Sequence, residues 1–216
     1  MIRLIKLVAG VVLFAFGIVT MIMANIGFAP WEVFHVGFAL TTGLSIGVAS
    51  IISGLAILIF VTACGETLGL GTLLSIVLTG LFIDLIMILN VIPKAQSPVT
   101  GAAMLIAGIF ILSFGSYIYM NSAFGVGPRD NLMVVLSRRS RLPVGVCRGI
   151  VELLVTVGGW AMGGMVGVGT IIFVVLIGFS IQLTFKIFKF DVKAVKHETL
   201  GETFAIMRNL YSGRGS

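Results

Sequence analysis

Charged residues are scarce in this chain, and those that interrupt its apolar stretches are the first candidates for chemistry. Asp, Glu, Lys and Arg together make up 10% of the residues. A charge inside a membrane costs roughly 2.5–3.5 kcal/mol on insertion scales, so such a residue usually has a partner or a function. The candidates for binding a substrate or an ion are Glu32, His35, Arg129, Asp130, Arg148 and Glu152, with Asp84 as a weaker one.

These residue types suggest binding of a polar solute coupled to protons. Arg129 and Arg148 would attract an anionic or carboxylate group, and an acid such as Glu32 would carry the proton. The sequence leaves structural interpretations open. Arg129 and its neighbouring acid fit a cap at a helix start, and Glu32 fits a first-turn acid that favours the helix dipole. Arg148 and Glu152, four residues apart, fit an ion pair on one helix face.

Catalytic, metal and cofactor sites are not supported by the residues present. The chain has only two histidines, too few for a His-rich metal site, and His35 fits a hydrogen-bonded interior histidine. No Ser/His/Asp or Cys/His set presents itself, and Asp84 with Asp130 carries no aspartyl-enzyme motif. The glycine turns lack the lysine of a nucleotide loop. We therefore expect no enzymatic activity, no catalytic residue, no metal and no cofactor.

The candidates are organised by an internal duplication with a constant offset of 98 residues. Residues 125–130 (Gly-Val-Gly-Pro-Arg-Asp) repeat the pattern of residues 27–32 (Gly-Phe-Ala-Pro-Trp-Glu). In each copy a proline is suited to the first position of a new helix, next to flexible glycine. The half-helix and turn residues are Pro30, Trp31, Pro128, Gly125, Gly127, Gly71, Thr72, Gly169 and Thr170. The same offset pairs Gly10 with Gly108, Gly17 with Gly115, Gly47 with Gly145 and Gly80 with Gly178.

Composition places these residues in a membrane protein. Hydrophobic residues make up 58% of the chain and the mean hydropathy is +1.18, far from the range of soluble domains. The 216 residues allow six spans of about 20 residues. We predict spans over residues 4–25, 45–63, 71–89, 101–123, 144–160 and 170–188. The first is apolar on every side and is expected to face lipid. Residues 30–42 and 128–137 are too short to cross a core of about 30 Å, so each is predicted to be a half-helix that dips in.

The predicted fold is an all-α membrane protein of six transmembrane helices, from two inverted three-helix repeats, each with a short re-entrant half-helix. The repeats are 1–98 and 99–190, and 191–216 is a cytoplasmic tail. Three spans per copy place both termini and the basic runs on one side, which the positive-inside rule makes cytoplasmic. A rival arrangement, in which each half-helix crosses fully, gives eight spans and parallel copies and also obeys the charge rule.

The motifs resemble those of the YczE/YitT-like family of small bacterial integral membrane proteins. The resemblance rests on the Pro-Trp-acid at residues 30–32, the Gly-Pro-Arg-Asp at 127–130, the glycine turns at 69–72 and 167–170, and Arg148 with Glu152. It covers nearly the whole chain up to about residue 188. The family usually has Asp where this chain has Glu32, which keeps the acid. The resemblance implies a bacterial inner-membrane location and leaves the substrate open.

Inverted repeats with interrupted helices are typical of secondary transporters, whose sites lie where half-helix N-termini meet near the midplane. The sequence therefore predicts a transporter or permease of a small polar, conceivably anionic, solute that works by alternating access. A passive channel and a non-transporting membrane scaffold are the alternatives. The expected partners are the lipid bilayer and a small molecule or ion, with no nucleic acid. Homo-oligomerisation stays open.

Overall fold

The protein is built entirely from helices across the residues that its computed structural model describes, which are 2–65, 69–122 and 127–190; nothing is described of the side chains of Leu70 and Asp130. The helices are α1 (Ile2–Met23), α2 (Pro30–Thr42), α3 (Ile46–Ala63), α4 (Leu70–Leu89), α5 (Pro98–Met120), α6 (Pro128–Ser140), α7 (Val144–Ala161) and α8 (Val168–Ile187). Six of them, all except α2 and α6, are long and apolar enough to cross a membrane. The expected all-α, multi-pass architecture is therefore confirmed, while the expected tail at 191–216 lies outside the described residues.

The two short helices begin in the same way and have the same length. Each has 13 residues and a proline at its start, Pro30 in α2 and Pro128 in α6. α2 ends at Gly43, whose φ of 74° is in the left-handed region that glycine adopts without strain. The second short helix extends to Ser140, three residues beyond the predicted end. Basic side chains in a last turn favour the helix dipole, so the run of arginines continues the helix instead of ending it.

Helix starts are set by caps that shift several predicted bounds. α5 begins at Pro98 and not at residue 101, because Ser97 and Thr100 form a capping box in which each side chain accepts the other's backbone N–H. It then ends at Met120 and not at 123. α8 begins at Val168, so Thr170 lies in the first turn of the helix, where its hydroxyl accepts the N–H of Gly167.

α1 and α5 form the centre of the molecule and run antiparallel. A Cβ added at Gly17 would lie 2.9 Å from the carbonyl oxygen of Gly108, and one added at Gly115 would lie 2.9 Å from the carbonyl oxygen of Gly10. Residue numbers along α5 therefore decrease in the direction in which those along α1 increase. Backbones can come this close only where glycine leaves room, as in other membrane helix pairs.

The prediction that the first span faces lipid was wrong. Side chains along one whole side of α1 are buried in the core, among them Leu7, Val11, Ala15 and Ile18. An all-apolar helix suits a protein interior as well as lipid, and the glycines of α1 draw it against α5. The expectation failed because composition alone does not distinguish the two apolar surroundings.

Glycines that lie 98 residues apart in the sequence have different surroundings at a second contact. α3 packs on α4 at a seam formed by Gly47 and Gly80, where a Cβ added to Gly80 would lie 2.5 Å from the carbonyl oxygen of Gly47. At the corresponding positions of α7 and α8, a Cβ added to Gly145 or Gly178 would meet no heavy atom within 4 Å. Within the described residues α7 has no packing on α8 comparable to that of α3 on α4. We call the first pair the α3–α4 seam and the second the α7–α8 seam.

The α3–α4 seam is also held by Asp84, which projects from α4 to the start of α3. Its carboxylate accepts hydrogen bonds from the backbone N–H of Gly47 at 2.8 Å and from the hydroxyl of Ser45. Ser45 in turn caps α3 by accepting the N–H of Val48. Asp84 is therefore a structural residue that ties two helices together.

A glycine-to-leucine substitution should change the stability of the protein in different directions at the two seams. Gly80→Leu should lower the stability of the protein by about 1–3 kcal/mol, because the new side chain has to push α3 and α4 apart. Gly178→Leu should leave the midpoint of thermal unfolding unchanged or raise it, since the position has space and leucine favours a helix over glycine. Thermal unfolding of both variants in the same detergent measures the difference. Equal losses in both would show that the α7–α8 seam is closed in solution.

Candidate functional site

A cavity of about 580 Å³ lies inside the molecule and is lined by residues from all eight helices. This volume is within the range of about 300–1,000 Å³ that is usual for small-molecule sites. The apolar part of the lining includes Phe14, Leu112, Phe173 and Ile177. Since both copies contribute, the cavity lies where the two halves of the chain meet.

The first turns of the two short helices meet at this cavity. Trp31 and Glu32 follow Pro30 in α2, and Arg129 follows Pro128 in α6. The guanidinium carbon of Arg129 lies 4.7 Å from the centre of the Trp31 ring, a cation–π distance. Both helices therefore direct their positive dipole ends, which favour negative charge, toward the same region.

Glu32 is the most deeply buried acid among the described side chains of the cavity. Its side chain is 3% exposed, and its Oε1 is 3.8 Å from Nη1 of Arg129, which is an ion-pair distance but too long for a hydrogen bond. Within the described structure no hydrogen-bond donor reaches Oε1. A buried acceptor without a donor costs about 1–3 kcal/mol, and native proteins rarely leave one so. A bound molecule that donates a hydrogen bond to this oxygen would therefore gain the most binding free energy there.

His35 lies one turn further along α2 and is not part of the cavity lining. Its Nε2 is 2.8 Å from the hydroxyl oxygen of Ser53, and that hydroxyl donates to the carbonyl of Ser50. The Ser53 hydroxyl therefore lies between the imidazole of His35 and the backbone of α3. Nδ1 has no partner in the described part of the chain. His35 therefore links α2 to α3 behind the cavity, as its structural interpretation expects.

Arg148 and Glu152 line the cavity from α7. Nε of Arg148 donates to Oε1 of Glu152 at 2.8 Å, so the ion pair expected from their spacing is formed. The contact uses one of the five N–H groups of the guanidinium. The remaining ones make no hydrogen bond to a described residue. Arg148 can therefore hold its acid and still receive an anionic group.

The other predicted site residues that are described lie in three places. Gly127 lines the cavity beside Pro128, whereas Asp84 belongs to the α3–α4 seam and not to the cavity. The glycine-turn residues form the first turns of α4 and α8, away from the lining, and they are Gly71, Thr72, Gly169 and Thr170. Gly125 and the side chain of Asp130 lie outside the described residues.

The cavity also contains polar residues that the sequence analysis did not single out. They are hydroxyl and amide side chains, namely Ser50, Ser53, Ser75, Thr79, Ser116, Tyr119 and Asn131. A partial signal was present, because the hydroxyls of α3 and α4 recur at helical spacings of three and four residues and so share a face. Serine and threonine also satisfy backbone carbonyls within apolar helices, so this spacing alone does not identify a site.

Comparison with known proteins agrees with this architecture. Residues 1–186 match a family described as "Family of unknown function (DUF6198)". The chain is 33% identical over 179 residues to the uncharacterized membrane protein YczE of Bacillus subtilis, covering 82% of each chain. It is 33% identical over 165 residues to an uncharacterized protein of Haemophilus influenzae, covering 74% of this chain and 73% of the other. YyaS of Bacillus subtilis is 25% identical over 178 residues. The resemblance to a YczE-like family is thus confirmed, and no solved structure matches.

Removal of the guanidinium beside Glu32 should lower the stability of the protein more than removal of both charges does. Arg129→Met leaves a buried carboxylate without its cation, whereas Arg129→Met with Glu32→Gln leaves no charge to compensate. We expect a coupling free energy of about 0.5–3 kcal/mol between the two positions. Unfolding of the four proteins of this double-mutant cycle in mixed micelles measures it. The control is Arg129→Met with Asp84→Asn, where the effects should add, and additivity at Glu32 would contradict the contact.

Proposed function

Since the chain belongs to the DUF6198 family, whose function is unknown, we propose from its geometry that it is a secondary transporter of a small polar solute. The observation that carries the proposal is the cavity at the junction of the two halves, which combines apolar walls with charged residues and has a buried acceptor that lacks a donor. The transporter works by alternating access and needs neither a cofactor nor a catalytic residue. The solute binds between the first turns of α2 and α6.

An inverted relation between the two halves is supported by the contacts of α1 with α5. Gly108 and Gly115 are the counterparts of Gly10 and Gly17, and the contacts are crossed, because Gly10 meets Gly115 and Gly17 meets Gly108. Exchanging the two copies therefore reproduces the same contact, as a twofold axis requires. Equivalent helices run antiparallel, which favours six spans with inverted copies over the eight-span arrangement with parallel ones.

The lengths of the helices also support a duplication. α2 and α6 begin 98 residues apart and end 98 residues apart, and the same holds for α3 with α7 and for α4 with α8. The 13 residues of each short helix reach about 20 Å, less than the hydrocarbon core of about 30 Å. In the proposal both are half-helices that begin inside the protein at the cavity and extend from there toward a membrane surface.

The different states of the two seams support alternating access. In a symmetric pair of inverted repeats, the contact made in one copy is available to the other when the conformation reverses. The α3–α4 seam is closed here and its counterpart, the α7–α8 seam, has space. In the reversed state Gly145 and Gly178 approach each other while Gly47 and Gly80 separate, and the cavity then opens to the other side of the membrane.

The proposed orientation places both termini in the cytoplasm of a bacterial inner membrane. Arg3, Lys6 and the arginines at 138–141 lie on the same side if each copy contributes three spans, as the positive-inside rule requires. In this orientation the closed α3–α4 seam lies toward the outside and the α7–α8 seam toward the cytoplasm. The structure then corresponds to an inward-facing state.

Access of water-soluble reagents to the cavity tests the proposal. Ser75→Cys in a chain with Cys64→Ser and Cys147→Ser places one thiol at the cavity. A membrane-impermeant methanethiosulfonate should label it both in intact cells and in inside-out vesicles, since the two states exchange. Adding Gly178→Leu should block closure of the α7–α8 seam and lower labelling from outside at least tenfold, while labelling from the cytoplasmic side is kept.

A matched thiol and two further outcomes make the test decisive. Leu153→Cys, on the exposed apolar side of α7, should remain unlabelled from both sides. Labelling from one side only, unaffected by Gly178→Leu, would support a membrane scaffold. Labelling from both sides together with a steady conductance in planar bilayers would support a channel. Either result would overturn the transporter.

A further inference from the structure

We propose that the solute is a zwitterion of the amino-acid type, with an ammonium group, a carboxylate and an apolar side chain. This inference rests on the proposed function and names the substrate class of the same site. It follows from three features of the cavity, which are an acceptor that lacks a donor, a second group of donors at the start of α6 and on α7, and apolar walls.

The ammonium group is placed by Glu32. Its Oε1 is buried, lacks a hydrogen-bond donor within the described residues and is too far from Arg129 for a hydrogen bond. An ammonium group has three N–H donors and a charge opposite to that of the carboxylate, so it satisfies this oxygen by a charge-assisted hydrogen bond. A carboxylate in the same place would present only acceptors and would be repelled.

The carboxylate is placed by the donors at the start of α6 and on α7. The N-terminus of α6 lines the cavity at Gly127 and Pro128, and the early N–H groups of a helix together with its dipole favour an anion there. Arg148 lines the same cavity and has N–H groups beyond the one that binds Glu152. These donors match the geometry that a carboxylate accepts.

The charge balance favours a solute without net charge. The described charged side chains that line the cavity are Glu32, Arg129, Arg148 and Glu152, two acids and two bases. A purely cationic or purely anionic solute would add one charge without an opposite charge to balance it. An unbalanced charge is costly in a medium of low dielectric constant. A zwitterion brings one charge of each sign and leaves the site neutral.

The apolar part of the solute is accommodated by the remaining walls. Phe14, Leu112, Phe173 and Ile177 belong to three different long helices and form apolar surface around the same cavity. Burial of apolar surface contributes about 25 cal/mol per Å², so a branched aliphatic side chain should bind more tightly than a hydrogen atom in its place. Leucine is thus a suitable probe and glycine its truncated counterpart.

Tryptophan fluorescence with matched probes tests the inference. The chain has two tryptophans, of which Trp31 lines the cavity and Trp160 is 66% exposed on the outer side of α7, so Trp160→Phe leaves a reporter only at the site. The probes are L-leucine, 3-methylbutylamine, which lacks its carboxylate, and 4-methylpentanoate, which lacks its ammonium group. We expect saturable binding of leucine, and at least tenfold weaker binding of both truncated probes and of glycine.

The variants assign each end of the probe to its residue. Glu32→Gln should weaken leucine at least tenfold and should leave 4-methylpentanoate bound as tightly as before or more tightly, because the substitution removes a negative charge from the site. Trp31→Phe, which retains Trp160, should report no saturable signal and so controls for partition into detergent. Equal or tighter binding of either truncated probe, the same leucine affinity in Glu32→Gln, or no binding of leucine would overturn the inference. The labelling of Ser75→Cys from the two sides of the membrane tests the transporter proposal independently of each of these results.

Discussion

The close contact of α1 with α5 is the constraint on which the rest of the structure depends. The two helices approach until glycine backbones touch at Gly10 with Gly115 and at Gly17 with Gly108. In a membrane the hydrophobic effect does not drive helices together, because lipid tails are as apolar as the side chains. Helix association therefore relies on close van der Waals contact of this kind. The contact holds the two halves of the chain together and buries much of α1 in the core, and both helices also line the cavity.

The cavity follows from this arrangement, because each short helix begins inside the protein and not in lipid. A proline at the start of α2 and of α6 lets the chain turn into a helix without leaving an additional N–H unpaired. The first turns then meet, and Arg129 lies against Trp31 and near Glu32. Charges that would be costly in lipid are thereby kept in one polar region surrounded by protein. Alternating access, in our proposal, changes which seam closes this region.

Several features of the fold and the site could be predicted from the sequence because they depend on local spacing. Long apolar runs identify spans whatever their neighbours, a proline identifies the first turns of α2 and α6, and four residues along a helix suffice to pair Arg148 with Glu152. The errors have equally physical reasons. The span α1 was assigned to lipid because an apolar helix fits lipid and core alike, and the start of α5 was misplaced because the cap at Ser97 was overlooked.

The sequence by itself determined the class of protein, the number of long helices and the positions of the charged residues that line the cavity. Only the tertiary structure decided which of these residues meet, that Asp84 closes a seam and not a site, and that Glu32 has a buried oxygen without a donor. It also decided that Gly80 is closely packed and that Gly178, 98 residues further along the sequence, has space around it. The reason is that burial and contact depend on how helices pack, and packing is a property of the whole chain that local patterns do not contain.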